Sequence, residues 1–297
     1  MIQTFLFQMK ARTLMTSRKV LVEEGIYHIT QRAPGKEVIF VEETDYLRFL
    51  KLLKESSKKF SLDIFCFSLL SNHLHILLRT KQRNLDKAMK FLFQSYAQFF
   101  NKKYERKGHV FCGVYRASFC LDESYLIVAS LYIHLNPYKA GLTKNIFEYK
   151  WFSLQPYIKP IKSSLLNVGF ILDILDSDRG EARRIYKGLI QGSRLLNYEN
   201  ILENKRAIKT FYKEFTSWLK KGALKMFSKR KNPFYAYFEL EKKIEEIKEG
   251  DLKLNSPASK EGIRYIIKQL KSRGYTIYEI ANILRIGRTT LYRLVQN

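Results

Sequence analysis

The chain has 297 residues, 46% of them hydrophobic, which is enough apolar material for a packed core and excludes disorder along its whole length. Fifty-three Lys and Arg against 28 Asp and Glu leave a net charge of +25, and a surplus of that size points to a polyanionic partner, nucleic acid above all. No run of 18 apolar residues argues for a spanning helix, so a membrane partner is not expected. Met1–Gln8 lacks the charged start of a secretory signal. The three cysteines, Cys66, Cys112 and Cys120, share no CxxC spacing and fit a reducing, cytoplasmic setting.

Residues 1–19 read as an N-terminal extension. Gly25–Arg32 reads as a first strand, Ala33-Pro34-Gly35 as a turn and Val38–Val41 as a short extension of strand. Thr44–Phe60 carries Leu47, Leu50 and Leu53 at helical spacing, with Thr44 as its cap. Leu62–Leu70 and His73–Arg79 read as strands, and the shortness of Ser71-Asn72 makes them antiparallel. Leu85–Tyr104 is an aromatic-rich amphipathic helix, Val110–Cys120 a fourth strand, and Asp122–Leu135 a helix capped by Asp122 and ended by Asn136-Pro137. The order β-α-β-β-α-β-α is the ferredoxin-like, split β-α-β arrangement of an α+β fold, here filling residues 20–160. Residues 161–250 read as a helical connecting region with basic clusters at Lys220-Lys221, Lys225 and Lys229-Arg230-Lys231, and 250–259 as a linker. In 251–297, a helix at Lys260–Arg273 ends at Gly274. Thr276 then caps Ile277–Leu284, Gly287 makes the bend, and a last helix begins at Arg288, which is the plan of a helix-turn-helix. Its final helix offers Arg288, Thr289, Thr290 and Arg293 to duplex DNA.

Three patterns bear on chemistry. His73 and His75 stand at i and i+2 in a strand, so both imidazoles leave one face. Two neutral imidazoles there suit a divalent metal, whereas two buried histidines satisfied by hydrogen bonds are the ordinary alternative, and a metal needs at least a third ligand. Tyr132 and Asn136 stand one helical turn apart, so an amide oxygen and a phenol share a helix face. Nothing in composition favours Tyr132 over Tyr115, Tyr125 or Tyr138. Lys81–Ser118 interleaves aromatics with nine cations, among them Arg83, Lys102, Lys103, Arg106, Lys107 and Arg116. That mixture suits either a groove for single-stranded DNA or a solvated helix face.

These residues resemble the REP-associated tyrosine transposases, of the single-tyrosine HUH transposases and endonucleases. The resemblance rests on Tyr27-His28-Ile29-Thr30, Asn72-His73-Leu74-His75, Gly108-His109-Val110-Phe111 with Tyr115-Arg116, and Ser124-Tyr125-Leu126. It rests most on the run Tyr132-Ile133-His134-Leu135-Asn136-Pro137-Tyr138-Lys139-Ala140-Gly141-Leu142, followed by Tyr149-Lys150-Trp151. Small departures lie at Leu70-Ser71, Cys112 and Val114. The resemblance implies Tyr132 as nucleophile and His73, His75 and Asn136 as ligands of Mg²⁺ or Mn²⁺. It further implies cleavage of single-stranded or hairpin DNA at palindromic repeats through a 5′-phosphotyrosine. A homodimer follows from one tyrosine making one cleavage. The competing readings are a non-catalytic DNA-binding regulator and a phosphodiesterase that uses water.

Overall fold

The computed structural model describes residues 12–14, 19–35, 37–120, 122–196, 207–223, short pieces between 227 and 245, 257–272 and 277–296. The chain divides into two compact units, residues 1–231 and 232–297.

In the first unit a hairpin of β1 (Arg12–Leu14) and β2 (Lys19–Leu21), in a segment read from sequence as a bare extension, precedes the main sheet. That sheet is formed by β3 (Ile26–Arg32), β4 (Leu62–Leu69), β5 (His73–Thr80) and β6 (Arg116–Cys120). Its order is β4-β5-β3-β6 and every pairing is antiparallel, as the split β-α-β reading requires. Alternation along the strands sends Ile29, Leu74, Ile76 and Leu78 to one side. There they meet Phe49, Leu53, Met89, Leu92 and Tyr96 of α1 (Glu43–Lys59) and α2 (Leu85–Lys103).

The opposite face carries the histidines and is covered by α3 (Glu123–Lys139). This helix is buried on all sides, because it packs against β4 and β5 below and against α5 (Val168–Leu175), α6 (Arg179–Ser193) and α7 (Ala207–Lys220) above. A helix apolar all round is what such a central position demands. The short α4 (Gln155–Ile158) joins the same layer. Where α6 and α7 approach, Gly192 is the enabling residue, since a Cβ there would stand 2.1 Å from Cζ2 of Trp218. The free edge of β4 is closed by backbone bonds from Leu69 N to Trp151 O, Ser153 N to Phe67 O and Asn167 N to Ile64 O. Among the described residues no strand lies beyond β6 in the sheet.

Several boundaries differ from the sequence reading. Glu42, not Thr44, caps α1, in a reciprocal box with Asp45. Val38–Val41 forms no strand; the Ile39 and Phe40 amides instead donate to Ser71 O at the β4–β5 turn. The fourth strand starts at Arg116 rather than Val110, because Glu105, Gly108 and Gly113 take left-handed φ of 50°, 97° and 64° and keep the approach irregular. α3 continues through Pro137 to Lys139. A proline in the last turn sacrifices little, and Leu142 N returns to Pro137 O to close the end.

In the second unit α8 (Pro257–Ser272), α9 (Ile277–Leu284) and α10 (Arg288–Gln296) pack pairwise around Ile263, Ile267, Leu270, Ile280, Leu284, Leu291 and Leu294. The bend between α9 and α10 is made by Arg285 at φ 52°, not by Gly287, whose carbonyl accepts from Leu291 N. Lys225, Lys229-Arg230-Lys231, Gly274 and Thr276 lie outside the described residues.

Candidate active site

The face of the sheet beneath α3 carries three histidines. Register pairs Thr30 with His75 and Arg32 with His73, so His28, Thr30 and Arg32 of β3 share a face with both imidazoles of β5. Ser68 of β4 is paired with His75 from the other side. His28, His73 and His75 are buried, as are Ser68, Tyr132 and Asn136.

The helix meets this row in a matched spacing. Two strand residues advance about 6.6 Å and four helical residues about 6 Å, so an i, i+2 pair on a strand can face an i, i+4 pair on a helix. The Tyr132 ring lies 5.9 Å from the His75 ring and 6.3 Å from that of His28, both edge-on. Asn136 lies one turn along α3 from Tyr132, and its amide favours the protonated form of His73. Both imidazoles of β5 thus lie beneath α3, with the Tyr132 ring edge-on to that of His75. The fold also places the Phe211 ring of α7 5.7 Å from Tyr132 and packs Tyr212 of α7 against Ser124 and Tyr125. Nothing local in the sequence marked α7 as the cover of Tyr132.

Hydrogen bonds orient the imidazoles. His73 Nδ1 lies 2.7 Å from Asn72 Oδ1, and an amide oxygen only accepts. His73 therefore carries its proton on Nδ1 and keeps a lone pair on Nε2. His75 Nδ1 lies 3.0 Å from His28 Nε2 and 3.3 Å from the Thr30 hydroxyl. That leaves His73 Nε2, His75 Nε2, Asn136 Nδ2 and Ser68 Oγ buried with no hydrogen-bond partner among the described residues. Buried polar atoms are rarely left so, and several orphans on one face mark a place built for something else. Burial pulls the His73 imidazole down to about 4, with the Asn136 amide opposing, and pulls His28 to about 4. Burial, helped by the charges of His28 and His73, pulls His75 well below the ordinary value. All three are thus neutral near pH 7, the state in which a ring nitrogen can ligate a metal.

No group of three or more His, Cys, Asp or Glu able to hold a metal is found among the described residues. Two imidazole lone pairs and an amide oxygen nevertheless fit the donor set expected from the sequence, with water or substrate oxygen completing it.

The basic residues of 81–118 separate into two sets. Lys103 bridges Glu42 (2.5 Å) and the buried Asp45 (2.6 Å) and donates to Thr44; Arg106 pairs with Glu37 at 2.6 Å and Arg83 with Glu23 at 3.7 Å. Lys102, Lys107 and Arg116 are exposed and make no ion pair among the described residues. Lys102 ends α2, Lys107 lies in the loop that follows, and Arg116 opens the edge strand β6. On α10, Thr289 and Arg293 are exposed and Thr290 is half-buried, while the Arg288 side chain lies outside the described residues. Among the described residues no helix is long and apolar enough to cross a membrane.

Comparison with known proteins returns a family match over residues 21–136, to the family described as "Transposase IS200 like". That segment holds all four strands of the main sheet, His28, His73, His75, Tyr132 and Asn136. One similar solved structure is described as "Structure of the REP associates tyrosine transposase bound to a REP hairpin". It is 13% identical, with a TM-score of 0.41, over 47% of this chain and 82% of that one. No curated protein matches the chain.

Proposed function

We propose that this chain, whose residues 21–136 match the IS200-like transposase family, is a single-tyrosine transposase of the HUH type. Its substrate is single-stranded or hairpin DNA at palindromic repeats, and its product is a strand joined through a 5′-phosphotyrosine. The single observation that supports this most is the Tyr132 ring set against that of His75 across one helix–strand contact, with Asn136 one turn further along the same helix.

In this reading His73, His75 and Asn136 hold Mg²⁺ or Mn²⁺. When bound, such an ion polarises the scissile phosphate and draws off charge developing on it. The chain's own groups do the rest. A phenol with an ordinary pKa near 10 is a weak nucleophile, so its position matters more than its charge. Tyr132 Oη loses its proton and attacks phosphorus, and the P–O3′ bond breaks. The 3′-oxygen leaves as a hydroxyl after taking up a proton. The new P–O–Tyr ester keeps the phosphodiester free energy, so the 3′-hydroxyl of another strand can displace Tyr132 and rejoin DNA with no nucleotide cofactor. Asn72 holds His73 in the tautomer this requires. Lys102, Lys107 and Arg116 would pair phosphates along the strand, and α8–α10 would act as a helix-turn-helix on duplex DNA through Thr289, Thr290 and Arg293. Two protomers make two cleavages. A cytoplasmic, nucleoid-associated setting accords with such a substrate.

One observation favours the reading as a non-catalytic DNA-binding regulator: Tyr132 is fully buried, with Phe211 against its ring. Labelled single-stranded DNA carrying the repeats that flank the gene, incubated with protein and Mn²⁺, separates the readings. A covalent protein–DNA adduct forms with the wild-type chain and is lost in Tyr132→Phe. Binding with no adduct favours the regulator, and turnover that survives Tyr132→Phe favours hydrolysis by water.

A further inference from the structure

His28 is part of the site by position but has no role in the chemistry above. It lies on β3 two residues before Thr30, fully buried, with Nε2 3.0 Å from His75 Nδ1. Its other ring nitrogen, Nδ1, has no hydrogen-bond partner among the described residues.

A hydrogen bond between two imidazoles needs one N–H and one lone pair, so two arrangements are open. If His28 Nε2–H donates, His75 accepts on Nδ1 and carries its proton on Nε2. The only ring nitrogen of His75 that is not engaged is then an N–H and cannot ligate. If His75 Nδ1–H donates, His28 Nε2 accepts and the lone pair of His75 Nε2 is free. In the protein alone the two cost alike, since each leaves one buried N–H and one buried lone pair unmatched. A cation at His75 Nε2 breaks the tie, because it satisfies the lone pair of the second arrangement and none in the first. The Thr30 hydroxyl, 3.3 Å from the same Nδ1, can accept from it as well.

We propose that His28 is a positioning residue that accepts from His75 Nδ1–H and so presents the Nε2 lone pair to the metal, as Asn72 Oδ1 does for His73. This rests on the metal reading of the site. It also separates His28 from the ligands. Outer partners of this kind commonly change metal affinity by about 10–100-fold.

The test compares wild type with His28→Gln, whose amide oxygen can accept from Nδ1–H, and His28→Leu, which cannot accept. Mn²⁺ affinity is read from the free-ion EPR signal, without DNA. In parallel, the tautomer of His75 is read by NMR on ¹⁵N-histidine protein with Mg²⁺, where only five histidines contribute. The expected result is the Nδ1–H tautomer in wild type, Mn²⁺ affinity within about 3-fold of wild type for Gln, and a loss of at least about 10-fold for Leu. Wild-type binding retained in a folded His28→Leu overturns the role of His28 and leaves the metal reading standing. A wild-type His75 protonated on Nε2 with Mg²⁺ present overturns it too, and decides the matter even if His28→Leu does not fold. Wild-type protein that binds no Mn²⁺ overturns the metal reading and this inference with it.

Discussion

Lys103 belongs by composition with the DNA-facing cations and by geometry with the scaffold, and the two roles predict different losses. Asp45 is buried and accepts on Oδ2 from the Val41 amide (2.8 Å), the Glu42 amide (3.0 Å) and the Tyr104 hydroxyl (2.7 Å). Its Oδ1 faces Lys103 Nζ at 2.6 Å. Burial works against the charge of each partner, yet their mutual hydrogen bond leaves the carboxyl below and the ammonium above its ordinary range. Asp45→Asn can keep an oxygen toward the three donors while turning an NH₂ group against the ammonium, so it breaks the Lys103 side alone. A hydrogen bond to a charged group is worth about 1.5–3 kcal/mol, and a buried pair broken on one side costs about 3–5. Lys103 is about a quarter exposed, which places the expected cost of Lys103→Met at about 2–3 kcal/mol. At about 2–4 °C per kcal/mol for a domain of this size, Tm should fall by about 4–12 °C. Thermal unfolding of Lys103→Met, Asp45→Asn and the double variant should give a coupling of at least about 1.5 kcal/mol. The slope of log K against log salt for single-stranded DNA should be unchanged in Lys103→Met. Unchanged Tm together with a shallower salt slope would refute the assignment and return Lys103 to the DNA surface.

Three further outcomes follow from other parts of the fold. Replacing Lys102, Lys107 or Arg116 by Met should leave Tm alone and reduce the salt slope by about 0.7 for each phosphate no longer neutralised, read by fluorescence anisotropy; an unaltered slope for all three removes them from the interface. His134, bonded to Tyr186 and Ser153 at 2.8 Å each, is pulled by burial to about 3. Its folded value lies below its unfolded one, so stability is fully present above pH 6.5 and drains as pH falls toward 3. Between pH 7 and 4 a non-titrating His134→Gln should lose about 3 kcal/mol less than wild type in urea unfolding, and equal losses would deny the buried neutral imidazole. Gly192→Ala drives a methyl group into Trp218 and should cost about 1–3 kcal/mol, which Trp218→Leu should largely restore.

The geometry of this site was legible where it obeys a local period. Alternation along β5 aligned His73 with His75, and the helical turn of α3 aligned Tyr132 with Asn136, with no knowledge of what lay between. The order of strands followed as well, from the short Ser71-Asn72 turn and the two intervening helices. What stayed hidden depends on partners far away in the chain. His28 was visible only as part of a motif, because its bond to His75 is set by the register of β3 on β5. Phe211 comes 79 residues after Tyr132 and reaches it through the packing of α7 on α3. The separation of Lys103 from Lys102 needed Asp45, 58 residues earlier. The longer α3 escaped because proline forbids helix only in the interior, and Pro137 sits in the last turn.

The matching of a strand step to a helical turn has a consequence for how this segment can vary among descendants. Point changes around the site leave the two rulers in phase, so composition can drift widely. One inserted residue between His73 and His75 would turn one imidazole to the α1–α2 side of the sheet. One inserted between Tyr132 and Asn136 would swing them from about 40° to about 140° apart around α3. Such chains should accumulate substitutions freely while keeping these two intervals at constant length, with insertions gathering in the irregular 104–115 loop instead.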